Sequence, residues 1–291
     1  MDRPRDIVEP CAEEFLPDGV VTDVSGVDPS LLERAVSDDG VPVAGYRVGL
    51  DAALGEWRRW FEVRDRSGAY PVITNTGPAG LVAEGRLGGP WGHGGPGPLA
   101  SALARDPEEV LAELVDSVLR WSIEPYVGSD DDSDHETLEE WLDDLVPERL
   151  APRLRPAVTE PRPGVFRNLE EGAARLRDFW ICLFPVGEGY EIPGLFPGLL
   201  RTPGWLKYRD RQLLPADHVA VLRSWSARYG TEVCYTGPSC LELAVARPPL
   251  DPQGAARVAV EQFAYCDDLV DETVAAGDGQ VRSTVWSFWW D

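Results

Sequence analysis

Long apolar runs are missing from this chain. No stretch approaches the ~20 residues that a membrane-spanning helix needs, and Met1-Asp2-Arg3-Pro4-Arg5-Asp6 lacks the hydrophobic segment of a secretory signal. The expectation is a cytoplasmic protein without membrane contact. Histidine is scarce, limited to His93, His135 and His218, and the five cysteines Cys11, Cys182, Cys234, Cys240 and Cys266 contain no C-x-x-C pair. Zinc sites built from clustered Cys and His therefore lack material, and an odd number of scattered thiols argues for reduced, buried cysteines over a disulfide framework. Lysine occurs once, as Lys207, among 27 basic residues. Together with abundant Ala, Gly, Pro and Arg this has the look of a GC-rich genome's codon bias and carries no chemistry. Also absent are the nucleophile elbow G-x-S-x-G, the metalloprotease motif H-E-x-x-H and a Walker loop. No cofactor and no metal are expected.

What is present is enough for a core: 291 residues, 43% of them hydrophobic and 26% charged, a length that suits one large or two modest domains. The formal net charge is −23, and it is uneven. Residues 1–150 hold 12 basic and 32 acidic groups, whereas residues 151–291 hold 15 and 18. Nucleic-acid affinity comes mainly from neutralising phosphates, so the acidic half repels DNA, RNA and anionic membranes. It attracts basic proteins or cations, and it also keeps the chain soluble.

The clearest break runs from Ala151-Pro152 through Pro161-Arg162-Pro163-Gly164, where four prolines interrupt any helix and the charge regime changes. We expect an acidic α+β domain over 1–150, a Pro-rich linker over 151–165 and a C-terminal α+β domain over 166–291. In the first part, Val41–Leu50 and Tyr70–Thr74 read as strands. Trp57, Trp60 and Phe61 suggest a short helix with its aromatic stripe inward. Asp106-Pro107-Glu108-Glu109 is a helix opening, with an N-cap, a first-turn proline and carboxylates in the positive first turn. Val110, Leu111, Leu114, Val118 and Leu119 continue it with helical period, and a second helix is expected from Thr137 to Val146. In the last part, Asp178–Val186 reads as a buried strand. Asp217 opens a helix that ends at Gly230, and Thr231–Tyr235 and Cys240–Ala246 form a hairpin across Thr236-Gly237-Pro238-Ser239. Asp251-Pro252 opens a helix to about Leu269, and Val285–Trp290 is a terminal strand with Trp286, Phe288 and Trp290 on one side. That order predicts an antiparallel or mixed sheet with helices packed on one face.

The runs His218–Trp225, Arg228-Tyr229-Gly230, Leu241-Glu242-Leu243, Ala246-Arg247-Pro248-Pro249, Glu261–Cys266 and Trp286–Asp291 carry a resemblance. Over roughly residues 177–291 the chain resembles the bacterial domain-of-unknown-function family numbered 4253, common in actinobacteria. Weaker echoes lie at Gly68–Ile73 and Gly89-Pro90-Trp91. The resemblance implies no activity. Gln262 stands where many relatives have His and Asp267 where they tend to have Pro, so a role resting on that His does not transfer.

Several segments look chemical and are better read otherwise. Asp130-Asp131-Asp132-Ser133-Asp134-His135-Glu136 begins like a calcium loop, but His135 replaces the turn glycine and Trp141 the closing glutamate, which leaves a solvated acidic loop. Gly92-His93-Gly94-Gly95-Pro96-Gly97 satisfies G-x-G-x-x-G by letter only, since its prolines remove amide donors and no strand leads into it. Cys266 and Gln262 fall on the apolar stripe of their helix, which favours an inert thiol and a structural amide, with Glu261 and Asp268 on another face. Two function classes remain. The first is an acidic interaction module, of immunity or inhibitor type, that binds a basic partner. It would use Asp130, Asp131, Asp132 and Asp134, with Trp91 and Trp289 as aromatic rims. The alternative is an enzyme of hydrolase type, with a pocket between the two halves that draws on Glu261, Gln262, Asp268 and Asp291.

Overall fold

The computed structural model describes residues 15–16, 18–86, 94–129, 131–175, 178–200, 213–266 and 273–290. Seven strands form one mixed sheet in the order β1-β2-β4-β3-β5-β6-β7. They are β1 (Glu33–Val36), β2 (Pro42–Gly49), β3 (Tyr70–Thr74), β4 (Asp178–Phe184), β5 (Thr231–Gly237), β6 (Cys240–Val245) and β7 (Val285–Trp289). Every neighbouring pair is antiparallel except β3 with β5. β1–β3 come from the acidic half and β4–β7 from the rest, and β4 lies between β2 and β3. The strands on either side of the proline-rich segment thus hydrogen-bond within a single sheet.

Among the described residues the helices are α1 (Asp18–Ser25), α2 (Leu50–Ser67), α3 (Pro78–Arg86), α4 (Pro96–Leu103), α5 (Pro107–Ile123), α6 (Asp132–Leu145), α7 (Pro147–Leu150), α8 (Arg167–Arg175), α9 (Ile192–Leu195), α10 (Pro215–Tyr229), α11 (Pro252–Tyr265) and α12 (Thr273–Asp278). The fold is α+β, as the sequence predicts. Alternation along each strand sends side chains to two cores. Cys182, Phe184, Leu241, Leu243, Trp286 and Phe288 face a large core shared with α4, α5, α10 and α11. Phe179, Ile181 and Leu183 face a smaller one shared with α1 and α2. The helices α10 and α11 cover one face of the C-terminal strands as expected, while α1, α2 and Leu169 of α8 belong to a second helical layer that the sequence reading did not include. A bulge between Val233 and Tyr235 puts Cys234 and Tyr235 into the same core.

The C-terminal strand is where the sequence placed it. Trp286, Phe288 and Trp290 are buried, and Trp225 of α10 stacks on Phe288 at 5.4 Å while meeting Trp286 edge-on at 5.4 Å. Tyr265 of α11 completes the cluster against Phe288 and Trp290. The proline-rich segment is stitched down. The guanidinium of Arg282, 1% exposed, donates to the carbonyls of Arg155 at 2.8 Å and Pro156 at 3.0 Å, and Arg162 exchanges backbone hydrogen bonds with Arg282 and Thr284.

Two expectations need correction, and a third segment gains its structural explanation. The aromatic stripe of Trp57, Trp60 and Phe61 lies in an 18-residue helix, since nothing between Leu50 and Ser67 breaks the period and Gly68, at φ 69°, supplies the left-handed stop. Asp131, Asp134 and their neighbours are not a free loop. Asp131 caps α6 by accepting the Ser133 N–H at 2.9 Å, so the helix starts five residues before Thr137, because carboxylates suit the positive first turn. In the glycine-rich segment, Pro96 opens α4 and the Gly95 N–H donates to the Gly194 carbonyl. A Cβ on Gly94 would lie 2.3 Å from the Leu195 carbonyl, so close backbone packing explains that glycine.

Candidate functional site

Between Asp106 and Glu148 the chain carries sixteen carboxylates and one arginine, Arg120. This stretch folds into the hairpin of α5 and α6. Asp106 accepts the Glu108 N–H at 2.9 Å and starts α5, whose Val110, Leu111, Leu114 and Val118 are buried in the large core. A 3₁₀ turn at Glu124–Tyr126 and Gly128, at φ 81°, reverse the chain into α6. At the tip the Ser129 hydroxyl donates to Asp134 at 2.6 Å, and the Ser133 hydroxyl and N–H hold the Asp131 carboxyl below the usual carboxylate range. Partial neutralisation comes from Arg149, which meets Glu139 and Asp143, from Arg153 with Asp144 at 2.6 Å, and from Arg120 with Asp116. These pairs are largely exposed and each contributes little. Trp121 and Val127 near the tip are 43% and 64% exposed. Trp121 follows Val118 by three residues and so continues the apolar stripe, but it stands at the end of α5 and remains half in water.

Asp131 and Asp134 are therefore together at the start of α6. Trp289 is on another element: it is 46% exposed on β7, on the sheet face opposite Trp286. Asp130, Trp91, Asp268 and Asp291, and the side chain of Asp132, lie outside the described residues.

Glu261 is not on an outer face. It is 5% exposed, and Arg228 of α10 clasps it with two bonds of 2.8 Å, with the Trp225 indole N–H donating to it at 3.0 Å. Burial works against the Arg228 charge, but the bond to Glu261 together with the charges of Glu261, Tyr229 and Glu108 outweighs it, so the guanidinium's pKa is raised. Beside this pair the Ser224 hydroxyl donates to Glu108 of α5 at 2.5 Å. Here α5 and α11 leave a cleft of about 280 Å³, with apolar walls from Leu111, Val115, Leu119 and Val260 and polar ones from Glu108, Asp116, Arg257 and Glu261. A carboxylate held by three donors is an ion-pair anchor. It tethers α10 to α11 at the base of the cleft.

Gln262 and Cys266 are buried, as their helical stripe predicts. The Cys266 thiol donates to the Trp289 carbonyl at 3.0 Å, and the Gln262 carbonyl accepts from Gln280 at 3.1 Å, while the Gln262 amide nitrogen meets no acceptor among the described residues. Gln280 in turn accepts the Ser287 N–H at 3.1 Å, which blunts the open edge of β7. The Ser287 hydroxyl donates to Glu242 at 2.8 Å, and Glu242 also accepts the backbone N–H groups of Asn168 and Leu169 at the start of α8. Glu242 is fully buried, and desolvation pushes its carboxyl up to about 6 against those hydrogen bonds. The sequence hid this group, since alternation placed Glu242 on a face that reads as solvent until α8 covers it.

A second buried polar pair lies in the large core. His218 Nδ1 is 2.6 Å from the Tyr265 hydroxyl, its Nε2 has no hydrogen-bond partner among the described residues, and burial lowers its pKa to about 4. The neighbouring Asp217 accepts the Leu214 N–H at 2.8 Å, in a helix-opening role, and pairs with Arg105 at 3.0 Å. Among the described residues no group of three or more His, Cys, Asp or Glu side chains is placed to hold a metal ion, and no helix is long and apolar enough to cross a membrane.

No curated protein and no solved structure matches the chain. The C-terminal part, residues 181–291 from within β4 onward, matches the model of the family described as Domain of unknown function (DUF4253).

Proposed function

We propose that the chain is an acidic protein-interaction module, of the immunity or inhibitor type, that acts in the cytoplasm by binding a basic protein partner through the hairpin of α5 and α6. The observation that carries this reading is the charge of that hairpin: sixteen carboxylates against Arg120 over residues 106–148, eleven of them in α5 and α6, with Trp121 and Val127 exposed near its tip. Such a surface steers a cationic partner from a distance, and a tryptophan supplies contact area once it arrives. Placement in the cytoplasm rests on composition, chiefly five cysteines without a C-x-x-C pair.

The hydrolase alternative has one observation in its favour, the cleft between α5 and α11 with Glu261 in its wall. Against it stands the commitment of Glu261 to Arg228 and Trp225, which leaves that carboxylate poorly disposed to move a proton.

The test is capture of partners from the native host on the immobilised protein, with each captured protein then purified. Association of a genuine partner should slow at least tenfold between low salt and 0.5 M salt, where the screening length is ~4 Å. Replacing Asp131 and Asp134 with Asn should slow it further at low salt and leave the melting temperature within about 2 °C. Indifference of every captured partner to both salt and substitution overturns the interaction reading.

A further inference from the structure

We infer that the cleft between α5 and α11 is a receptor for one arginine side chain of a basic segment, and that this insertion anchors the partner to the acidic hairpin. The inference rests on the proposed interaction function and names its point of contact.

The shape comes first. Leu111, Val115, Leu119 and Val260 make the apolar wall, and a space of about 280 Å³ admits a single long side chain. The charges then select among side chains. Glu108, Asp116 and Glu261 line the cleft with Arg257, and Arg228 and Arg120 reach these carboxylates from outside it, so the pull on a cation comes from the wider stretch 106–148 with its sixteen carboxylates and one arginine. Arg228 holds Glu261 and also stands 3.7 Å from Glu108, so Asp116 is the carboxylate most open to an incoming cation, with Glu108 beside it. Asp116 is 66% exposed and pairs with the equally exposed Arg120, a contact that a better-placed guanidinium can replace at little cost. Glu108 is steadied by the Ser224 hydroxyl at 2.5 Å. An arginine meets both requirements, because its alkyl stem covers apolar surface while its planar head bonds carboxylates in pairs. The cleft also opens on α5, one arm of the hairpin, so a segment drawn to the acidic surface passes over it.

The test uses a defined probe, a 15-residue amphipathic peptide of Leu, Ala and Arg, with two controls in which every Arg becomes citrulline or Glu. Binding to the full chain is read by titration calorimetry and by amide NMR shifts. The Arg peptide should bind at least tenfold tighter than the citrulline peptide and shift the amides of Val115, Leu119 and Val260. Ala112 is exposed on the cleft's edge, so Ala112→Phe fills the space without touching the core. That variant should weaken the Arg peptide at least tenfold. Asp116→Asn should weaken it roughly threefold, and Arg257→Gln should tighten it. Salt-sensitive binding that Ala112→Phe leaves unchanged overturns the cleft while the acidic hairpin stands. Equal binding of the Arg and citrulline peptides, unaffected by salt, overturns the cleft and the electrostatic reading together. No binding of the Arg peptide overturns the cleft as an arginine receptor.

Discussion

Two buried titratable residues set opposite pH responses, and their signs follow from where each is packed. His218 sits neutral in the large core with a pKa near 4, below its ordinary 6.5. Above pH 6.5 it is neutral whether the chain is folded or not. As pH falls from 6.5 to 4 the unfolded chain takes the proton first, so stability is lost, by about 3 kcal/mol in full. Glu242 runs the other way, because its folded pKa of about 6 lies above 4.5. It is charged in both states above pH 6, and as pH falls from 6 to 4.5 the folded chain takes the proton first, which returns about 2 kcal/mol. Urea unfolding across pH 4–7.5 separates the two. His218→Phe should shift relative stability in the variant's favour only below pH 6.5, whereas Glu242→Gln should shift it in the wild type's favour between pH 6 and 4.5. Stability curves that stay parallel to the wild type over those windows would show that neither group titrates from the environment described.

At the level of elements, β7 is a member on which the large core depends. It carries Trp286 and Phe288 and leads to Trp290; Trp286 and Phe288 pack on Trp225, and Phe288 and Trp290 on Tyr265. With 150–250 Å² per aromatic and ~25 cal/mol per Å², each contributes roughly 4–6 kcal/mol before entropy, which for the three together matches or exceeds the ~5–15 kcal/mol that hold a typical domain. Deleting residues 286–291 should abolish the cooperative thermal transition, and Trp286→Ala alone should cost about 3–5 kcal/mol. A deletion variant that melts like the intact chain would make this strand an appendage.

Such elements were legible because their signals are local. Asp106-Pro107 starts α5, Pro238-Ser239 within the expected turn segment reverses the β5–β6 hairpin while Thr236 and Gly237 extend β5, and aromatic alternation marks β7. What could not be read depends on contacts distant in sequence. Glu261 is buried by an arginine 33 residues away, and Glu242 by the amides of α8, 73 and 74 residues away. Helical angles place Glu261 off the apolar stripe, and no local rule supplies Arg228. The interaction candidates divide the same way: Asp131 and Asp134 are neighbours in sequence and meet in α6, while Trp289 belongs to a different element.

At the scale of the whole molecule, one sheet is built from both halves of the chain. β4 pairs on both sides with strands from residues 1–150, and β5 pairs with β3. A fragment of residues 166–291 would leave β4 with no neighbour, since β3 separates it from β5. We expect that fragment to lack a cooperative unfolding transition by itself and to regain one when mixed with residues 1–165. Independent, two-state unfolding of the fragment would contradict the shared sheet.

Under the proposed interaction function, the shared sheet also sets which surfaces the acidic half can offer. α5 is held by the large core on one side, which leaves the outward surfaces of α5 and α6 for recognition. Hydrogen–deuterium exchange on the complex with a captured basic partner tests that assignment most directly. The account predicts slowed exchange concentrated in residues 106–148, with the pattern unchanged elsewhere. Protection centred on the β1 edge or on β7 around Trp289, with residues 106–148 exchanging as in the free protein, would contradict it.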